Sequence, residues 1–124
     1  MDNEVSMIVF AAVTSLTAFP ALADGDVARG TSLFKRCSGY HTATDQNKVG
    51  PGLLGVVGRK AGPEAGYKYS GGMAKSVVVW DDATLDAFLA APRKVVQGTT
   101  MSVSITNATD RQDIIAYLHT LAKE

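Results

Sequence analysis

Cys37-Ser38-Gly39-Tyr40-His41 is the stretch of this 124-residue chain that decides how the rest of the sequence is interpreted. Covalent attachment of a c-type haem usually uses two cysteines separated by two residues, the second followed at once by histidine. Here the first cysteine and the histidine are present, but Tyr40 occupies the position of the second cysteine. By itself such a pentapeptide is more often a buried thiol near a surface histidine, so the interpretation depends on the rest of the chain.

Residues 1–23 have the pattern of a secretory signal peptide. Residues 7–19 are mostly apolar or small, a stretch shorter than the ~20 residues that a membrane-spanning helix needs. Residues 21–23 form a small-x-small cleavage pattern, although the start of the chain is acidic where a signal peptide is usually basic. An uncleaved anchor is the alternative, disfavoured by the length and the cleavage pattern. We predict a mature domain over 24–124, exported and without stable membrane insertion.

The composition of the predicted mature domain narrows the classes of function. It keeps all 12 basic residues and 10 of the 12 acidic ones, so its net charge is +2. That charge is too small for nucleic-acid binding, which needs a dense basic surface. Cys37 is the only cysteine, which excludes an internal disulfide. An unpaired cysteine in an exported protein leaves a reactive thiol unless the sulfur is bonded to another group. A thioether bond to haem would bond it.

The sequence predicts a mostly helical domain with a helix near each end. Asp26 is a candidate N-cap for a helix that runs to about Gly39. Asp81 or Asp82 is a candidate N-cap for a second helix, in which apolar residues recur at helical spacing until Pro92 stops it. A domain of this size gains stability when a cofactor adds to its small core.

The last helix and the segment between the first two helices show opposite patterns. Thr109 and Gln112 form a capping-box pattern that predicts the start of the last helix. Its apolar stripe consists of Ile114, Ile115, Leu118 and Leu121. Residues 42–79 are rich in glycine and lack periodicity, so we predict a long loop region that a large apolar ligand would keep ordered. Residues 77–80 could form a short strand, but no partner strand is evident in the sequence.

His41 and Met101 are candidate axial ligands of a haem iron. Histidine offers a ring nitrogen, and methionine offers a soft sulfur that favours the ferrous state. Such a pair is typical of cytochromes with a raised reduction potential. Met101 lies on the polar loop before the last helix, whereas Met73, the other methionine of the predicted mature domain, lies in a glycine-rich turn. These positions favour Met101 but leave Met73 as an alternative.

Matching segments that follow one order across nearly the whole predicted domain give the chain its family resemblance. They are residues 30–34, 37–41, 48–51, 55–62, 66–70, 79–80, 92–94, 98–101 and 115–118. In these segments the chain resembles the class I cytochromes c, in particular the soluble bacterial members closest to mitochondrial cytochrome c. The resemblance implies the class I cytochrome c fold, in which the N- and C-terminal helices cross and haem is wrapped by helices and long loops.

The resemblance also implies a role for each matching site residue. It implies His41 as the proximal ligand, Met101 as the distal ligand, and a haem c with one iron, attached through Cys37 alone. The carbonyl of Pro51 is expected to accept the Nδ1 proton of His41 and so to fix its tautomer. The residues expected near the haem propionates are Arg59, Tyr69, Trp80 and Thr99. For Tyr69 and Trp80, plain core packing is the alternative.

These expectations together describe a periplasmic, monomeric, monohaem electron carrier that is not an enzyme. The resemblance implies redox partners such as a membrane quinol-oxidising complex, a terminal oxidase, a photosynthetic reaction centre or a periplasmic dehydrogenase. Because Tyr40 removes one thioether bond, a different function is the alternative: with a labile Met101, an open iron position would give a weak peroxidase or a small-ligand binder. A chain that fails to hold haem, and is therefore largely disordered, is a third possibility.

Overall fold

Five α-helices and one short 3₁₀-helix are present in residues 25–62 and 67–122, the part of the chain that the computed structural model describes. The predicted signal peptide, residues 1–23, lies outside these residues. The helices are α1 (Val27–Leu33), α2 (Gly71–Ala74), α3 (Asp82–Ala90), α4 (Pro92–Val95) and α5 (Ala108–His119), and the 3₁₀-helix is Phe34–Arg36. No helix in these two ranges has the length and apolar character needed to cross a membrane.

The crossing of α1 and α5 joins the two ends of the described chain. Gly30 is buried in this contact, and a Cβ added to it would lie 2.6 Å from the carbonyl carbon of Asp113 and 3.0 Å from the Cβ of Tyr117. The rings of Phe34 and Tyr117 pack beside it with their centroids 4.9 Å apart. Glycine at this position therefore allows the two helix backbones to approach closely.

Polar contacts around Asp113 fasten the same crossing. Its carboxylate is buried, with only 4% of the residue exposed, and it accepts hydrogen bonds from the Asp26 N–H at 2.8 Å and from Arg29 at 2.6 Å. Arg29 also pairs with Asp110 at 2.7 Å. The Asp26 N–H, followed by the Arg29 guanidinium, lowers the pKa of Asp113 below its ordinary value because both favour the charged carboxylate.

The predicted α3 is confirmed, and its N-cap is Asp81. The Asp81 side chain accepts from the backbone N–H of Thr84 at 2.8 Å, and the Thr84 side chain accepts from the Asp81 N–H at 2.8 Å, so the two residues form a capping box. α3 ends before Pro92, as predicted, but Pro92 is also the first residue of a further helix, α4. Proline suits this position, where its missing N–H would have no helical partner.

Two predicted helix boundaries were wrong. The α-helical part of the first helix ends at Leu33 rather than near Gly39, and the chain continues as the 3₁₀-helix. The N-cap of α5 is Asn107 rather than Thr109, because the Asn107 side chain accepts from the Asp110 N–H at 3.0 Å. Asparagine and threonine are both common N-caps, so cap preference alone did not decide between the two residues.

The glycine-rich region is held by backbone bonds between its two halves. The Ala61 N–H donates to the Val78 carbonyl at 2.8 Å, and the Trp80 N–H donates to the Arg59 carbonyl at 2.9 Å. The possible strand at 77–80 therefore does have a partner, although only as an isolated antiparallel bridge of Val79 with Lys60. This pairing positions the Trp80 side chain, which is buried in the core.

Candidate functional site

A cavity of about 320 Å³ lies between the helices and the glycine-rich loops. Its walls are largely apolar, and they include Leu53, Val56, Leu85, Leu89, Ile114 and Leu118. The volume is at the lower end of the ~300–1,000 Å³ typical of small-molecule sites. All of the predicted site residues line it, namely Cys37, His41, Pro51, Arg59, Tyr69, Trp80, Thr99 and Met101. The fold thus brings together side chains that are far apart in the sequence.

His41 is held in one tautomer by the backbone. Its Nδ1 lies 2.8 Å from the carbonyl oxygen of Pro51. Because a carbonyl can only accept a hydrogen bond, Nδ1 carries the proton and Nε2 keeps its lone pair. Burial lowers the pKa of His41 below its ordinary value, and the charge of Arg59 acts in the same direction, while the bond to Pro51 opposes both. The imidazole is therefore neutral at pH ~7 and can act as a nitrogen ligand.

Cys37 lies one turn before His41 on the same wall. The 3₁₀-helix ends at this residue, and the His41 N–H donates to the Cys37 carbonyl at 2.9 Å. Burial raises the pKa of the Cys37 thiol, while the charge of Arg36 opposes this shift. Without a bonded group the side chain is thus a neutral thiol rather than a reactive thiolate.

Tyr40 lies at the rim of the cavity rather than deep inside it. Its side chain borders the cavity, but 53% of the residue is exposed. The bulk of tyrosine at this position is therefore directed largely towards solvent. Tyr40 therefore contributes to the rim of the cavity rather than filling its interior.

Met101 lies on the loop between α4 and α5. Its N–H donates to the Thr99 hydroxyl at 3.3 Å, and Thr99 is itself buried. The loop is fixed at both sides, because the Thr99 N–H donates to the Val96 carbonyl at 3.2 Å and the Ile105 N–H donates to the Leu89 carbonyl at 2.8 Å. The thioether of Met101 is thus presented to the cavity by an anchored segment.

Arg59, Tyr69 and Trp80 line the cavity from the glycine-rich half of the chain. The Arg59 guanidinium donates to the carbonyls of Leu54 and Gly52, each at 3.1 Å, which fixes its position. The ring of Tyr69 packs edge-on against a neighbouring tyrosine ring, and the ring of Trp80 packs against Phe88 with centroids 4.8 Å apart. All three side chains combine an apolar body with a polar donor beside the cavity.

Two further cavity residues were not identified as site residues from the sequence. The Tyr67 hydroxyl donates to the Val49 carbonyl at 2.7 Å and so ties the glycine-rich region to the His41 loop. Met73 lines the same cavity as Met101. Tyr67 lies in the matching segment 66–70 and Met73 was left as an alternative ligand, but both lie where helical and strand periodicity are absent, so the sequence did not decide their roles. Within the described residues, no cluster of three or more histidine, cysteine or acidic side chains could bind a metal ion.

Comparison with known proteins identifies the family. The family model "Cytochrome c" matches residues 27–122. Cytochrome c2 of Rhodomicrobium vannielii is 42% identical over 120 residues, which cover 94% of this chain and 94% of that protein. Cytochrome c of Gibberella zeae is 42% identical over 101 residues, which cover 78% of this chain and 95% of that protein.

A solved structure confirms the predicted fold. Cytochrome cH from Methylobacterium extorquens is 45% identical and superposes with a TM-score of 0.74, covering 77% of this chain and 99% of that chain. Members of this family carry one covalently attached haem c and transfer electrons rather than catalyse reactions. This chain therefore belongs to the class I cytochrome c family of monohaem electron carriers.

Proposed function

We propose that this chain is a periplasmic electron carrier whose haem iron is ligated by His41 and Met101 and whose haem is attached through Cys37 alone. One observation carries the proposal: a nitrogen donor, a thioether and a thiol line the same apolar cavity. Those three side chains suit two axial bonds and one thioether bond. When bound, haem supplies the one-electron couple between Fe(II) and Fe(III).

The surrounding residues keep the two ligands ready. The bond from His41 to Pro51 leaves Nε2 unprotonated and restricts rotation of the ring. The bond from Met101 to Thr99 restrains the loop that carries the thioether. A ligand set that hardly moves between the two iron states lowers the cost of reorganisation, which suits electron transfer.

We assign the haem propionates to the wall formed by Arg59, Tyr69, Trp80 and Thr99. A buried carboxylate needs paired charge and hydrogen-bond donors. Arg59 supplies a cation already fixed by two backbone carbonyls. Tyrosine, tryptophan and threonine supply O–H and N–H donors. All four line the cavity, which supports this assignment.

Export and partners complete the proposal. Residues 1–23 act as a cleaved signal peptide and 24–124 as the mature domain. The match to cytochrome c2 covers 94% of the chain, so the alignment extends into the residues before Gly25. The mature protein acts as a monomer that carries electrons between a donor such as a quinol-oxidising complex or a periplasmic dehydrogenase and an acceptor such as a terminal oxidase or a reaction centre.

Surface charge suits transient docking of this kind. Arg36, Arg93 and Lys94 are exposed, and Arg36 also borders the cavity. Basic residues near the haem edge attract acidic partners and raise association rates at low salt. The anchored Met101 loop favours this carrier over the alternative with an open iron position.

Extraction of the purified mature protein tests the attachment. After treatment with acidified organic solvent, we expect haem to stay with the protein and its pyridine haemochrome α-band to lie between those of b-type and ordinary c-type haem. The Cys37→Ala variant should release its haem into the organic phase, and the Tyr40→Cys variant should shift the band to that of two thioethers. Release of haem from the unmodified protein would refute attachment through Cys37.

The spectrum of the oxidised protein tests the ligands. We expect a low-spin ferric spectrum with the weak near-infrared band that methionine ligation produces. A high-spin spectrum would exclude the six-coordinate carrier and favour the peroxidase or small-ligand binder. In that case, peroxide-dependent oxidation of a dye, inhibited by cyanide, would also be observed.

A further inference from the structure

We propose that Met73 is a reserve axial ligand, whose thioether binds the haem iron when Met101 is absent or displaced. The proposal rests on the His41 and Met101 ligation proposed above. The proposal gives Met73 a role, because ligation by His41 and Met101 does not use this second methionine of the cavity.

All sulfur atoms of the described residues lie around one cavity. Cys37, Met73 and Met101 are the only sulfur-containing residues in 25–62 and 67–122, and all three line it. Met73 is partly buried and packs against the core. Since Cys37 is assigned to the thioether bond, Met73 is the soft donor that remains at the cavity once Met101 is lost. None of the lysines of the described residues lines the cavity.

The backbone around Met73 is packed against the segment that leads into Met101. A Cβ added to Gly72 would lie 2.9 Å from the carbonyl carbon of Gln97 and 3.2 Å from the Cα of Gly98. Residue 72 precedes Met73, and residues 97 and 98 lie shortly before Met101. The two methionines are therefore carried by backbone segments in direct contact.

A second set of contacts fixes α2 from the other side. The Ser70 hydroxyl caps the helix by accepting from the Met73 N–H at 3.2 Å. A Cβ added to Gly62 would lie 2.6 Å from the Met73 carbonyl oxygen, so this backbone also packs closely against the 55–62 segment. The main chain at Met73 is thus held in place beside the cavity.

The chemistry of methionine suits such an exchange. Its unbranched side chain has three rotatable bonds and adapts to irregular spaces. With haem bound, replacing one thioether by another would keep a soft sulfur donor together with His41, so the low-spin state and the raised reduction potential would be largely kept. The exchange would also leave no open iron position for peroxide.

The test uses the ferric holoprotein at neutral pH and follows the near-infrared band of methionine ligation. Four proteins are compared: the unmodified chain, Met101→Ala, Met73→Leu, and the double variant. We expect Met101→Ala and Met73→Leu each to retain the band, and the double variant to lose it and become high-spin. Far-UV circular dichroism checks that each protein is folded, and Met101→Leu replaces Met101→Ala if the latter does not hold haem.

Each other outcome overturns a defined part of the reasoning. If folded Met101→Ala and Met101→Leu both lose the band while the unmodified protein has it, Met73 is not a reserve ligand, and the proposed function stands. If Met73→Leu alone loses the band, Met73 is the resident ligand and both assignments are wrong. If the unmodified protein lacks the band, the His/Met ligation itself fails.

Discussion

Replacing Gly30 by alanine tests whether the close crossing of α1 and α5 holds the domain together. The added Cβ would lie 2.6 Å from the carbonyl carbon of Asp113, which is 0.8 Å less than the 3.4 Å at which ordinary van der Waals contact begins. The obstacle is the backbone of α5, which cannot rotate away as a side chain could. The helices must therefore separate, which weakens the ring contact between Phe34 and Tyr117 and the bond from Asp26 to Asp113.

The size of the effect follows from two opposing contributions. Overpacking of a tight contact costs about 1–3 kcal/mol, and we take the upper value because backbone must move. Alanine in place of glycine inside a helix recovers about 1 kcal/mol. The free energy of unfolding should fall by about 2 kcal/mol, which corresponds to a Tm lower by roughly 8–16 °C in a domain of this size.

Urea unfolding of the ferric holoprotein, followed by circular dichroism and by haem absorbance, measures this change. Gly71→Ala is the matched control. Gly71 also lies in a helix, but a Cβ added to it would have no atom within 4 Å. We expect the control to be unchanged or up to about 1 kcal/mol more stable. If Gly30→Ala is as stable as the control, the crossing is not tightly packed and the reasoning fails.

Three smaller perturbations probe other contacts. Asp113→Asn should make the free energy of unfolding fall less steeply as the pH is lowered. Because the folded-state pKa of Asp113 is lowered, its carboxylate contributes its full stability above pH 3.8 and loses that contribution as pH falls through the folded-state pKa. An unchanged dependence of the unfolding free energy on pH between about pH 2 and 7 would contradict this. Thr99→Val removes the acceptor of the Met101 N–H, so the Met101 loop should be less stable by about 0.5–1.5 kcal/mol. The methionine–iron band should then be lost at a lower urea concentration than in the unmodified protein. An unchanged urea midpoint for loss of the band would contradict this. His119→Gln breaks a partly exposed pair with an α3 carboxylate and should lower the free energy of unfolding by less than about 1 kcal/mol; a larger loss in urea unfolding would contradict this.

The sequence predicted the features that depend on short segments. The cap at Asp26 and the helix before Pro92 are each specified by residues a few positions apart. The N-cap of α5 was missed because Asn107 and Thr109 are both acceptable caps, and local preference does not decide between neighbours. Which residue starts the helix depends on how the whole helix packs.

The features that the sequence could not predict depend on contacts between distant segments. The pairing of Lys60 with Val79 joins the possible strand at 77–80 to a segment that has no strand pattern of its own. The position of Met73 beside the Met101 segment depends on the approach of Gly72 to Gln97, which no spacing rule encodes. Composition could identify two methionines as candidates, but only the fold shows that both reach the cavity.

The crossing of α1 and α5 also has a consequence for the order of events during biosynthesis. A chain is made from its N-terminus, so Cys37 and His41 are complete well before Ile114 and Leu118, which form part of the cavity wall. The cavity wall is therefore incomplete until the last helix has been made and has docked on α1, so the cavity can enclose a bound group only after that docking.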